Sequence, residues 1–248
     1  STTTCFCINM LTSSHRGDRV HAMQCLKPTQ TAAQQAISRL VNAYPLWVSG
    51  LVELEKWPSF VEKFSRLYEV DISPAARQWR KKRGQCSSHL VGALLPLDPA
   101  GREQVRWVLM VTELGAGTVK ELEQLRDARK DRIVWGDYVL MYLTRPREWG
   151  GGSRWTWCMS PQIERQEANY LTALAQHCSM TGDASRLNAY TSKLLRRPMH
   201  SGVRTQVSRM LRRAMKVWDK HSMGKTWPGP DPAKLPILDY SSASRFGS

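Results

Sequence analysis

No stretch of this 248-residue chain approaches the roughly 18–20 consecutive apolar residues that a membrane span requires, so no membrane-crossing helix is expected. The opening residues, STTTCFCINM, lack the basic start and apolar run of a secretory signal. Six cysteines follow no disulfide-scaffold rhythm, which points to a reducing, cytoplasmic setting, or a nucleoid or nuclear one if the partner is nucleic acid. Phe is scarce, at four against ten Trp, where a simple core would favour Phe. Internal repeats and low-complexity tracts are missing, which excludes solenoids.

Recognisable catalytic signatures are missing as well. ELGAGTVKELE sets glycines between a strand and a helix but lacks the P-loop lysine and the dinucleotide fingerprint, so no cofactor is expected. Thr118-Val-Lys-Glu121 explains that segment more simply as a helix-capping box. Cys5, Cys7, His15, His21 and Cys25 gather five potential ligands, but zinc prefers two to four residues between paired cysteines, and Cys5-x-Cys7 leaves one. No metal site is assigned. Asp98, Glu103, Glu113 and Asp137 fall on or beside strands without a spacing that would hold Mg²⁺. His200, Arg204 and Tyr190 are wrongly spaced for a strand-transfer enzyme. No nucleophile, base and orienting group can be assembled by role, and no catalytic residue is named.

Acids are scarcest where bases are densest. Lys and Arg number 36 against 21 Asp and Glu, a net charge of +15. Residues 193–225 hold ten bases against one acid, Asp219, and RQWRKKR (77–83) adds five bases with none. The rest of the chain is nearly balanced. Concentrated positive charge is the footprint of a polyanion partner, because neutralising phosphates releases their counterions.

The fold class follows from the pattern of elements. Helices are expected at 30–44, from a capping box at Ser59-Phe-Val-Glu62, and over PAARQWRKKR behind Ser73-Pro74. TCFCINML and RVHAMQCL read as an N-terminal hairpin. Strands are expected at 86–95, 104–113, 133–143 and 154–159, with a polar helix over GAGTVKELEQLRDARKD between the second and third. Ser160-Pro161 opens a helix closed by Gly182; helices near 184–196 and 202–220 follow. The expectation is an α+β protein with an antiparallel sheet of about four strands, flanked by N-terminal and C-terminal helices. Its segments are 1–84 (hairpin plus helices), 85–160 (sheet), 161–225 (helices) and 226–248, a Pro/Ser-rich tail able to dock on the body or a partner.

On a helical wheel, Val203, Val207, Met210, Leu211, Ala214, Val217 and Trp218 share one arc, and Arg209, Arg212, Arg213, Lys216 and Lys220 share the opposite one. A solvated face would mix signs; this one does not. A membrane surface or a peptide groove is less well served, since the apolar arc carries a single Trp. The expected partner is therefore nucleic acid, DNA or RNA, gripped by Arg196, Arg197, Arg204 and those five cations. Arg77, Arg80, Lys81, Lys82 and Arg83 form a second patch beside Trp79, cations next to a stacking ring. Trp155 and Trp157 share one strand face and offer rings for stacking bases, with burial under helices the plainer alternative. A non-enzymatic subunit of a nucleoprotein complex, with protein partners of its own, is preferred to a nuclease or strand-transfer enzyme and to a scaffold for an acidic protein.

Overall fold

The computed structural model describes residues 25–144 and 152–237. They form an α+β protein whose chain divides after Lys130 into two compact units. That division falls inside the 85–160 segment.

The first unit runs β1 (Leu26–Lys27), α1 (Gln30–Leu40), β2 (Leu46–Glu53), a 3₁₀ turn (Leu54–Lys56), α2 (Trp57–Tyr68), α3 (Pro74–Lys82), β3 (Ser88–Leu94), β4 (Gln104–Val111), α4 (Thr118–Leu122) and β5 (Arg126–Asp127). The sheet order is β1-β3-β4-β2-β5, antiparallel except for the short β1–β3 pairing. Trp57, Val61, Phe64 and Tyr68 of α2 pack with Leu90, Val105, Leu109 and Val111 on one face. Val91, Ala93, Val108 and Met110 alternate onto the other face and are buried too, as are Ala33 and Ile37 of α1. β2 does not read as a strand because LWVSGLVE lacks a clean alternation: Leu46, Val48 and Val52 pack on the core, yet the opposite face carries buried Trp47 beside exposed Ser49 and Leu51. Two glycines make room for the indoles. Gly50 and Gly92 flank Trp107 in register, and a Cβ would lie 2.7 Å from the Trp107 ring at Gly50 and 2.6 Å from the Trp57 ring at Gly92.

The second unit runs β6 (Val134–Trp135), β7 (Tyr138–Thr144), β8 (Ser153–Met159), α5 (Pro161–Thr181), α6 (Ser185–Leu195) and α7 (Ser201–His221), with the three strands in antiparallel sequence order. Ser160 Oγ accepts from the Ile163 N–H at 3.4 Å to start α5, and Gly182, at φ 80, ends it. The start of α7 is capped from outside: Thr156 Oγ1 on β8 accepts from the Gly202 N–H at 3.1 Å and from Ser201 Oγ at 2.9 Å. The Gln206 side chain accepts from the Met159 N–H at 2.7 Å and donates to its carbonyl at 3.0 Å. It thereby satisfies backbone groups that edge strand β8 would otherwise leave open. The described residues after α7, 222–237, contain no helix or strand and dock on that helix. Ser208 Oγ donates to the Pro232 carbonyl at 2.9 Å, Trp227 meets Trp218 edge-on, and Leu235 is buried while Ile237 is exposed.

All four expected strands are present, but two lie in each sheet. Ser59 is not a cap: α2 begins at Trp57 straight from the 3₁₀ turn, and Ser59 Oγ donates back to the Lys56 carbonyl at 3.0 Å. Thr118 likewise lies inside α4, behind Gly117. That helix is one short turn, because Glu123 is already extended and Arg126–Asp127 pairs with Leu46–Trp47. The expected N-terminal hairpin, with Cys5, Cys7, His15 and His21, lies outside the described residues apart from its last two, Cys25 and Leu26.

Candidate nucleic-acid interface

Helix α7 is the longest basic element. Its inner face, Val203, Val207, Met210, Leu211, Ala214 and Trp218, is buried as the wheel anticipates. Arg209, Arg212, Arg213, Lys216 and Lys220 are exposed, and Arg204 is half-buried. Among the described residues no carboxylate lies within ion-pair distance of Arg212, Arg213, Lys216 or Lys220, although Asp219 shares the exposed surface. Arg212, Lys216 and Lys220 are four residues apart, so they form a row rising about 6 Å per step. Arg209 differs, because its guanidinium pairs with Glu164 on α5, and Glu164 also accepts from Gln206 at 2.7 Å.

Between α6 and α7, Arg196 is exposed and Arg197 turns inward. Arg197 pairs with Glu167, approaches Asp137 at 3.6 Å, and donates to the Tyr138 hydroxyl at 3.5 Å. Burial opposes its charge, yet those partners raise its affinity for the proton above the ordinary arginine value. Tyr190 donates to the other Glu167 oxygen; burial and that bond push its phenol upward, away from a nucleophilic phenolate. The cluster ties α5, α6 and β7 together. His200 is fully buried before α7, and burial lowers its imidazole to about 4.

Helix α3 in the first unit divides the same way. Ser73 Oγ accepts from the Ala76 N–H at 3.2 Å, and Pro74 occupies the first turn, as the sequence implies. Arg77 donates to the carbonyls of Val70 (2.6 Å) and Ser88, and Arg80 donates to the Cys86 carbonyl at 3.1 Å and pairs with Glu69. These two arginines anchor the helix. Trp79, Lys81, Lys82 and Arg83 project outward, and the Arg83 guanidinium lies 3.5 Å from the Trp79 ring centroid.

The two strand tryptophans part company. Trp157 is fully buried and cannot stack a base without unfolding its strand, whereas Trp155 is half-buried against the exposed Tyr142, ring centroids 5.2 Å apart. Sequence reasoning missed Tyr142; the signal was the cross-strand pairing Tyr142↔Trp155, which only the register reveals.

The acidic candidates do not converge. Asp98 caps its own turn and binds Arg102, Glu113 pairs with Arg129, and Asp137 faces Arg197. Among the described residues no three His, Cys, Asp or Glu side chains cluster as metal ligands would. Burial raises the thiols of Cys25 and Cys158 to about 11, which keeps them protonated. Comparison with protein-family models, curated proteins and solved structures finds no match.

Proposed function

We propose that the chain is a non-enzymatic nucleic-acid-binding protein, suited to work as a subunit of a nucleoprotein complex, which lays the outer face of α7 along a phosphate backbone. One observation carries this: Arg212, Arg213, Lys216 and Lys220 stand exposed and uncompensated on a helix whose opposite face is firmly packed. Like charges at this spacing cost helix stability, roughly 0.2–0.5 kcal/mol per pair, and acids would relieve that cost. An anionic polymer offsets the repulsion from outside instead. Contacts of this kind position the ligand without reading its sequence.

The test is a titration of wild type and of the triple variant Arg212→Gln, Arg213→Gln, Lys216→Gln against duplex DNA and duplex RNA, across a range of salt. On DNA each lost phosphate contact lowers the slope of log affinity against log salt by about 0.9, so the triple variant should lose about 2.7 units of slope. An unaltered slope and affinity would overturn the proposal.

A further inference from the structure

We propose that the exposed end of α3 is a binding site for unpaired nucleotides, in which a base stacks on the platform made by Trp79 and Arg83 while Lys81 and Lys82 hold the flanking phosphates. This rests on the nucleic-acid reading above but concerns a different unit and a different ligand form.

Among the described residues Trp79 is the one tryptophan that stands mostly in water, 52% exposed. The other described indoles pack into cores or, like Trp155 and Trp227, lie half-covered against another ring. A large ring left in water calls for a reason, and a helix C-terminus supplies none. The helix dipole explains why Arg80, Lys81 and Lys82 crowd the last turn, but it favours no exposed indole. Trp79 and Arg83 are one helical turn apart, which brings the guanidinium over the indole face, Cζ 3.5 Å from the ring centroid, before any ligand arrives. Two flat groups are thus ordered in advance, so a third flat group adds to them at reduced entropic cost. The helix is a rigid mount, because Arg77 and Arg80 bind backbone carbonyls on both sides of it.

This geometry discriminates against duplex. Paired bases are stacked on each other and present no free π-face, whereas an unpaired base does; stacking on an aromatic ring tolerates any base. Ribose and deoxyribose strands share that chemistry, so both are used as probes.

Wild type, Trp79→Ala, Trp79→Phe and the double variant Lys81→Gln, Lys82→Gln are titrated with oligothymidylate, with oligouridylate and with a duplex of equal length. Trp79→Ala should weaken binding to the unpaired strands about 5- to 150-fold, the stacking of one base. It should leave the salt slope and the duplex affinity as they were. Trp79→Phe should recover much of the loss. The lysine pair should instead lower the single-strand salt slope by about 1.4. Preference for oligouridylate or oligothymidylate identifies the strand type. Since Trp79 is exposed, its removal should leave the melting temperature unchanged, and indole quenching by oligothymidylate should shrink in Trp79→Phe. Single-strand affinity within twofold of wild type in Trp79→Ala, or an equal loss on duplex, would overturn the inference. If the α7 triple variant then still loses its duplex salt slope, the function proposed above stands without this site. If wild type binds no probe at low salt, both fall together.

Discussion

At the scale of single residues, chemistry alone did not separate the cations that face solvent from those that hold the protein together. Arg197 and Arg196 are adjacent and chemically identical, yet Arg197 faces Glu167, Asp137 and Tyr138 while Arg196 is exposed. Removing Arg197 leaves a largely buried carboxylate at Glu167 without its counterion, so Arg197→Ala should lower thermal stability sharply, by about 3–5 kcal/mol, with Arg196→Ala nearly silent. Chemical denaturation of the two variants checks this. Gly202 is a second fixed point. A Cβ there would lie 2.4 Å from Cys158 Sγ and 2.5 Å from the Trp157 carbonyl, and backbone cannot retreat as a flexible side chain can. Gly202→Ala should therefore destabilise the second unit by about 1–3 kcal/mol, read by the same denaturation. His200 makes stability depend on pH. Its folded imidazole titrates near 4, against 6.5 for the ordinary group, because burial penalises the charged form. Between those values the unfolded chain binds a proton that the folded chain refuses. Stability is then complete above pH 6.5 and falls as pH drops toward 4, by about 1.4 kcal/mol per unit for this group. His89 acts in the same direction, so His200→Gln should make the acid limb of a pH–stability profile shallower without abolishing it.

At the scale of elements, α7 is where sequence and structure agree most closely. Its apolar arc is buried and its cationic arc exposed because a 3.6-residue period leaves little freedom once one side is packed. Stability and binding should separate on it: Arg212→Glu places a carboxylate four residues before Lys216, a favourable i,i+4 pair, and should raise the melting temperature slightly while weakening nucleic-acid binding. A loss of stability in that variant would mean that the cationic arc packs against something. The strands were less legible. Trp155 and Trp157 share a face by parity, but the parity of β8 cannot say where along that face the covering layer ends. The structure covers Trp157 and leaves Trp155 half-open beside Tyr142. The short helix α4 shows the other failure. KELEQLRDARK has strong helix propensity, yet pairing of Arg126–Asp127 with β2 turns its second half into a two-residue strand and a turn. Tertiary hydrogen bonding there outweighs a few tenths of a kcal/mol per residue of propensity.

At the scale of the whole molecule, the positive charge separates into two patches on two units. α7 offers four uncompensated cations and α3 offers Lys81, Lys82 and Arg83. The two arrangements differ in how binding responds to salt. If a duplex meets α7 alone, as expected with α3 reserved for unpaired strands, four neutralised phosphates give a log–log slope near −3.6; a slope near −6.3, from seven, would count against that reservation. A salt titration on a duplex distinguishes them, and the triple glutamine variant of α7 then shows how much of either slope belongs to that helix.

The linear chain by itself determined the features that repeat with a local period or rest on near neighbours: the α+β class, the Ser73 and Ser160 caps, the Gly182 stop and the two-sided character of α7. Caps and helix faces involve residues within a turn or two of each other, so their energetics are already present in a short stretch of chain. Only the tertiary structure decided which strands share a sheet, which arginines are structural and which indole meets water. Those outcomes depend on groups brought together from distant positions, where burial and the placement of a carboxylate or carbonyl outweigh the intrinsic preference of any one residue.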